Sequence, residues 1–175
     1  MIYGKFRKGG DVVEYSSCSF TGHRVIEMRH KDKIDDLLDR AIAYAYSVGV
    51  RTFYSGGAVG FDTLAARAVV KFRLMHPDVS LVMLLPCADQ DSKWTQRQQS
   101  NYQYILSVAN EVVYLSDGYY RGCMHVRNRE LVERADMVIA YCSGRPGGSA
   151  HTLKLATKCE KTVYNLFGAL ERSTV

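Results

Sequence analysis

Arg51-Thr52-Phe53-Tyr54-Ser55-Gly56-Gly57-Ala58-Val59-Gly60-Phe61-Asp62-Thr63-Leu64-Ala65-Ala66 carries three signals in a row. Residues 51–54 have the apolar, aromatic character of a short strand. Residues 55–61 are a glycine-rich turn, and from Asp62 an alanine-rich helical pattern runs to residue 75. A strand that turns through glycines directly into a helix is the first half of a β-α-β unit.

The same rhythm extends to both sides. Strands are expected over 17–20, 51–54, 80–85, 111–115, 137–141 and 162–165, and helices over 32–47, 62–75, 95–109, 124–135 and 150–158. In 32–47, Ile34, Leu37, Leu38, Ala41, Ile42 and Ala45 recur at helical spacing and form one apolar stripe. Residues 81–85 are apolar throughout, as a strand covered on both faces requires. The expectation is an α/β fold: a Rossmann-like, doubly wound, mainly parallel sheet with helices on both faces. It forms one domain over 17–175. Residues 1–16 are an N-terminal extension, either a hairpin closed by Lys8-Gly9-Gly10-Asp11 or a tail.

Bulk properties fit this reading. The chain has 175 residues, 47% apolar and 23% charged, which excludes a wholly disordered protein. Its apolar runs are far shorter than the ~20 residues of a membrane span. Met1-Ile2-Tyr3-Gly4-Lys5 lacks the apolar stretch of a secretory signal, so a cytoplasmic protein is expected. Five widely spaced cysteines without a C-x-x-C pair point to reduced thiols, not to disulfides or zinc; no metal is expected, and no motif demands a cofactor. The net charge of +5 comes from scattered basic residues without a basic stripe, so a nucleic-acid partner is not favoured and an anionic small molecule suits the charge equally well.

In an open α/β sheet, ligands bind beyond the carboxyl ends of the strands. The joins expected there hold the unusual residues: Thr21-Gly22-His23-Arg24; Ser55, Gly56, Gly57, Gly60 and Asp62; the long join 86–94 with Trp94; Arg127 and Asn128 in the first turn of a helix; and Gly147, Gly148, Ser149 and Thr152. The joins at the opposite edge are short and plain. Glycine turns opening helices let backbone N–H groups approach a phosphate, and Arg24 or Arg127 could grip it with paired hydrogen bonds. Asp62 reads equally as a ligand partner or a helix cap. Trp94 reads as a stacking surface or as half-buried core. Cys123 beside His125 lacks the oriented third group of a thiol nucleophile.

With these motifs in place, the chain resembles the SLOG superfamily, which unites the Smf/DprA and Lonely-guy proteins, and is most similar to its YpsA-like branch. The resemblance rests on Phe20-Thr21-Gly22-His23-Arg24, Ser55-Gly56-Gly57-Ala58-x-Gly60-Phe61-Asp62, Pro86-Cys87 with Gln90 and Trp94, Cys123-Met124-x-x-Arg127-Asn128, and Gly147-Gly148-Ser149 with Thr152. It implies binding of a nucleotide or a related phosphoribosyl compound such as a nucleoside monophosphate, ADP-ribose or NAD, and a homodimer. Lonely-guy enzymes hydrolyse the N-glycosidic bond of nucleoside monophosphates with an arginine and a glutamate. Arg127 matches that arginine and is the candidate catalytic residue. The glutamate's place after Pro146-Gly147-Gly148 is taken by Lys154, which leaves Asp62, Asp89 or Glu130 as a substitute carboxylate. The resemblance therefore carries over binding or sensing first, a phosphoribohydrolase second, and DprA-like binding of single-stranded DNA third.

Overall fold

A computed structural model of the chain describes residues 15–172. The alternation is present in full: β1 (Ser17–Gly22), α1 (Lys31–Ser47), β2 (Thr52–Ser55), α2 (Phe61–Arg73), β3 (Ser80–Leu85), α3 (Gln96–Val108), β4 (Glu111–Tyr114), α4 (Cys123–Arg134), β5 (Met137–Tyr141), α5 (Gly148–Lys158), β6 (Thr162–Asn165) and α6 (Leu166–Arg172). The six strands form one parallel sheet in the order β4-β3-β2-β1-β5-β6. This is the Rossmann-like, doubly wound arrangement. The chain winds outward from β1 to β4, returns to the far side of β1, and continues to β6. The winding reverses between β1 and β5, which makes their carboxyl ends the topological switch point.

The two faces are unequal. On one, Phe20, Phe53, Leu81, Met83, Leu85, Ile139 and Tyr141 meet side chains of α1, α2, α3 and α6 in a single core. On the other, Val138 and Ala140 pack on Val132 of α4 and Ala156 of α5. Alternate strand residues feed the two faces, as the pleat dictates. No helix among the described residues is long and apolar enough to cross a membrane.

Three differences from the sequence reading matter. Thr21 and Gly22 belong to β1, paired with Ala140 and Tyr141, so the first site loop starts at His23. Gly148 and Ser149 are already the first turn of α5. Helix α6 follows β6 without a loop because Asn165 Oδ1 accepts the Phe167 N–H at 3.2 Å, and Leu166, Phe167 and Leu170 are buried. The N-terminal hairpin considered above lies outside the described residues.

Candidate functional site

Glycine opens three of the helices that start at the carboxyl edge of the sheet. Helices α2, α4 and α5 have Gly60, Gly122 and Gly147 as N-caps, and none of these ends carries a side-chain cap. Helix α3 is the contrast. Thr95 accepts the Gln98 N–H while the Gln98 side chain accepts the Thr95 N–H, a complete capping box. At α2 the Phe61 and Thr63 N–H groups donate to the carbonyls of His23 and Ala58, whereas the first-turn N–H groups of α5 have no capping side chain, and a helix start without a cap favours an anion.

The β2–α2 turn is built from within. Ser55 Oγ donates to the Asp62 carbonyl at 3.1 Å and accepts the Gly57 N–H at 3.3 Å. Arg127, on α4 and 6% exposed, donates to the Gly56 carbonyl and, through Nε, to Asn128 Oδ1 at 2.8 Å. Its Nη1 stands 3.9 Å from Asp62 Oδ2. A Cβ on Gly56 would press on the Arg127 guanidinium, so the absence of a side chain there suits this approach. Gly60 has φ +93°, and a Cβ on it would meet the Arg24 backbone at 2.4 Å. The glycines thus bring protein groups together, whereas the sequence reading assigned their small size to a phosphate.

Asp62 and Arg127 share a dry environment. Burial lifts Asp62 to about 6, against the opposing pull of Arg127 and of the Ala58 and Gly22 amides that hydrogen-bond it. Burial pushes the Arg127 guanidinium down, with Asp62 opposing. Both residues organise the turn.

His23 stitches the switch point. Its Nε2 accepts the Ser143 N–H at 2.8 Å and lies 2.9 Å from Ser143 Oγ, while Nδ1 lies 3.2 Å from Ser149 Oγ. Because Nε2 accepts a backbone N–H, the imidazole is neutral, with its hydrogen on Nδ1. Burial lowers its pKa in keeping with that. His23 O also accepts the Phe61 N–H at 3.1 Å, so one residue ties β1 to the starts of α2 and α5.

The structure gathers His23, Ser55, Gly56, Gly57, Gly60, Asp62, Arg127, Asn128, Gly148 and Ser149 around one edge. Other predicted residues are placed differently. Thr152 is buried, its hydroxyl donated to the Gly148 carbonyl at 2.8 Å. Thr21 is buried within β1, and Arg24 is exposed. Trp94 packs on the main core, edge-on to Tyr102 at 5.2 Å. Gly147 lies in the open. Of the substitute carboxylates, Glu130 pairs with Arg134 at 3.0 Å and Asp89 is exposed. Sequence reasoning passed over Ser143 and Tyr102: a serine in a loop and a tyrosine inside a helix carry no local mark. Gln90 entered only through the resemblance, and its Nε2 donates to the Gly57 and Gly56 carbonyls at 3.1 and 3.4 Å.

One group of side chains has metal-binding types. Glu27, His30 and Glu171 bring ligand atoms within 4.8 Å of one another. Arg29 already bridges both carboxylates, at 2.7 and 2.9 Å, so the group is an ion-pair cluster.

Known proteins resemble this chain in sequence or in fold. A UPF0398 protein of Halalkalibacterium halodurans is 31% identical over 113 residues, covering 63% of this chain and 60% of the relative. An uncharacterized SPbeta prophage-derived protein, YoqJ, of Bacillus subtilis is 27% identical, covering 61% and 69%. Among solved structures, DNA processing protein A from Streptococcus pneumoniae superposes with a TM-score of 0.62 at 17% identity, over 89% of this chain and 51% of that one. The Helicobacter pylori protein of the same name, whose structure describes a single-stranded DNA binding mode, gives 0.60 at 23%, over 87% and 65%. At these identities the two show the fold alone. A family model described as the YspA SLOG family matches residues 18–168. That span runs from the second residue of β1 into α6 and takes in every loop that builds this edge, so the chain belongs to the YspA SLOG family.

Proposed function

We propose that the protein binds a phosphorylated nucleotide or nucleotide-derived small molecule, such as a nucleoside monophosphate, ADP-ribose or NAD, and acts as a binding or sensing protein. The observation that carries this reading is the contrast between helix starts: α2 and α5 open on uncapped glycines at the switch point, while α3 is fully capped. Cytoplasmic residence and a homodimer belong to the same proposal. Hydrolysis is the weaker reading, because α5 presents exposed Lys154 where Lonely-guy proteins have their glutamate.

Gly148→Pro tests the proposal. Gly148 is the first residue of α5, where proline is tolerated and only removes a free N–H. The nearest neighbour of a Cβ there is Asn128 Nδ2 at 3.9 Å, an ordinary contact. Calorimetry with AMP, ADP-ribose and NAD should show wild-type binding that falls roughly 10- to 100-fold in the variant, the worth of a hydrogen bond to a charged group. Unchanged affinity in a folded variant would remove α5 from the site.

A second reading is single-stranded DNA. Tyr119 and Tyr120, 65% and 45% exposed, stand beside Arg121 in the join that follows β4, and exposed tyrosines can stack bases. It requires binding to an oligonucleotide that weakens steeply with salt. Absence of binding at ~50 mM salt removes it.

A further inference from the structure

Two polar atoms beside the β2–α2 turn are buried without a hydrogen-bond partner among the described residues: Gln90 Oε1 and the Tyr102 hydroxyl. Both residues lie against Gly57. Gln90 Nε2 donates to its carbonyl, and a Cβ on Gly57 would stand 3.0 Å from Tyr102 Cε2. Gln90 is 8% exposed and Tyr102 2%. A buried polar atom left unpaired costs on the order of 1–3 kcal/mol, so two at one turn call for a partner.

Their chemistry restricts what that partner is. The Gln90 amide is oriented by the two carbonyls that its Nε2 serves, so Oε1 can only accept. A phosphate oxygen offers it nothing. Tyr102 can donate as well as accept. A ligand hydroxyl suits both, giving its hydrogen to Gln90 and accepting the one from Tyr102.

Resting on the nucleotide-binding reading above, we propose that Gln90 and Tyr102 form a hydroxyl-reading wall, and that the ligand is a ribosyl phosphate with free sugar hydroxyls. Both atoms are covered, so docking opens the contact between Tyr102 and the 86–94 segment while Gln90 stays on the Gly57 carbonyl. Trp94, the only tryptophan of the chain, sits in that segment against Tyr102 and reports the event by its fluorescence.

Tyr102→Phe removes only the unpartnered oxygen. AMP, 2′-deoxy-AMP and 3′-deoxy-AMP are titrated into wild type and Tyr102→Phe, following Trp94 emission and calorimetric heat, and the melting temperature of each protein is measured alone. Wild type should prefer AMP to at least one deoxy form by roughly 3- to 10-fold. The variant should lose that preference while melting no lower than wild type. Equal wild-type affinities for all three nucleotides, or a preference that survives in Tyr102→Phe, would overturn the hydroxyl wall and leave nucleotide binding standing. Failure of wild type to bind AMP, ADP-ribose or NAD would overturn both.

Discussion

At the scale of single residues, the buried pair Asp62–Arg127 is the most sensitive point of the site. Arg127 keeps its guanidinium on the Gly56 carbonyl with the Asp62 carboxylate 3.9 Å away, so Arg127→Ala would leave a buried acid with no counter-charge. Removing one partner of a buried pair costs about 3–5 kcal/mol. Loss of binding in that variant would therefore report folding as much as contact. A valine at Gly57 is similar: φ is +65° and the side chain would press on Leu85, Tyr102 and Met83. Asp62 offers a cleaner measurement. Its pKa in the folded protein, about 6, is above the reference value of 3.8, so folding favours the neutral acid. Its contribution to stability is full below about pH 4 and falls as pH rises through 6, by an amount on the order of 3 kcal/mol. Denaturation of wild type and Asp62→Asn from pH 4 to 7 should give a difference curve with that slope. A flat difference would mean that Asp62 is solvated like a surface acid.

At the scale of elements, the joins at one edge of the sheet divide the helices into two kinds. Thr95→Ala breaks the capping box of α3 and should cost about 1 kcal/mol of stability by chemical denaturation. Nucleotide affinity should not change, whereas Gly148→Pro should do the reverse. A Thr95→Ala variant that lost affinity with its stability unchanged would contradict this division. The strand-to-helix rhythm was legible because each element carries its own apolar period: β5 and β6 have the expected bounds, and α1 begins one residue before them. Helix α6 was not legible. It is only seven residues long, carries Gly168 in its middle, and is held by a side-chain cap from the last residue of a strand. The glycine turns were legible as turns that open helices, but their internal duty was not. The clash of a Gly56 side chain with Arg127 joins residues 71 positions apart, and no local pattern encodes it.

At the scale of the whole molecule, the reversal of winding between β1 and β5 brings the starts of α2 and α5 to one edge of the sheet, and His23 fastens both. Sequence reading placed the candidate residues on this edge because topology alone sends strand ends there. It could not rank them, since burial separates the half-buried His23 and Ser149 from Thr152 within α5 and Thr21 within β1. On the proposed reading, backbone N–H groups at two helix starts hold a phosphate, and backbone amide resonances observe those groups directly. In ¹⁵N-labelled protein titrated with AMP or ADP-ribose, the amides of Gly60 and Asp62 and of Gly148–Ala150 should shift together along one binding curve, while those of Gln96–Gln98 stay in place. Shifts confined to other surfaces, or no shift at saturating nucleotide, would contradict it.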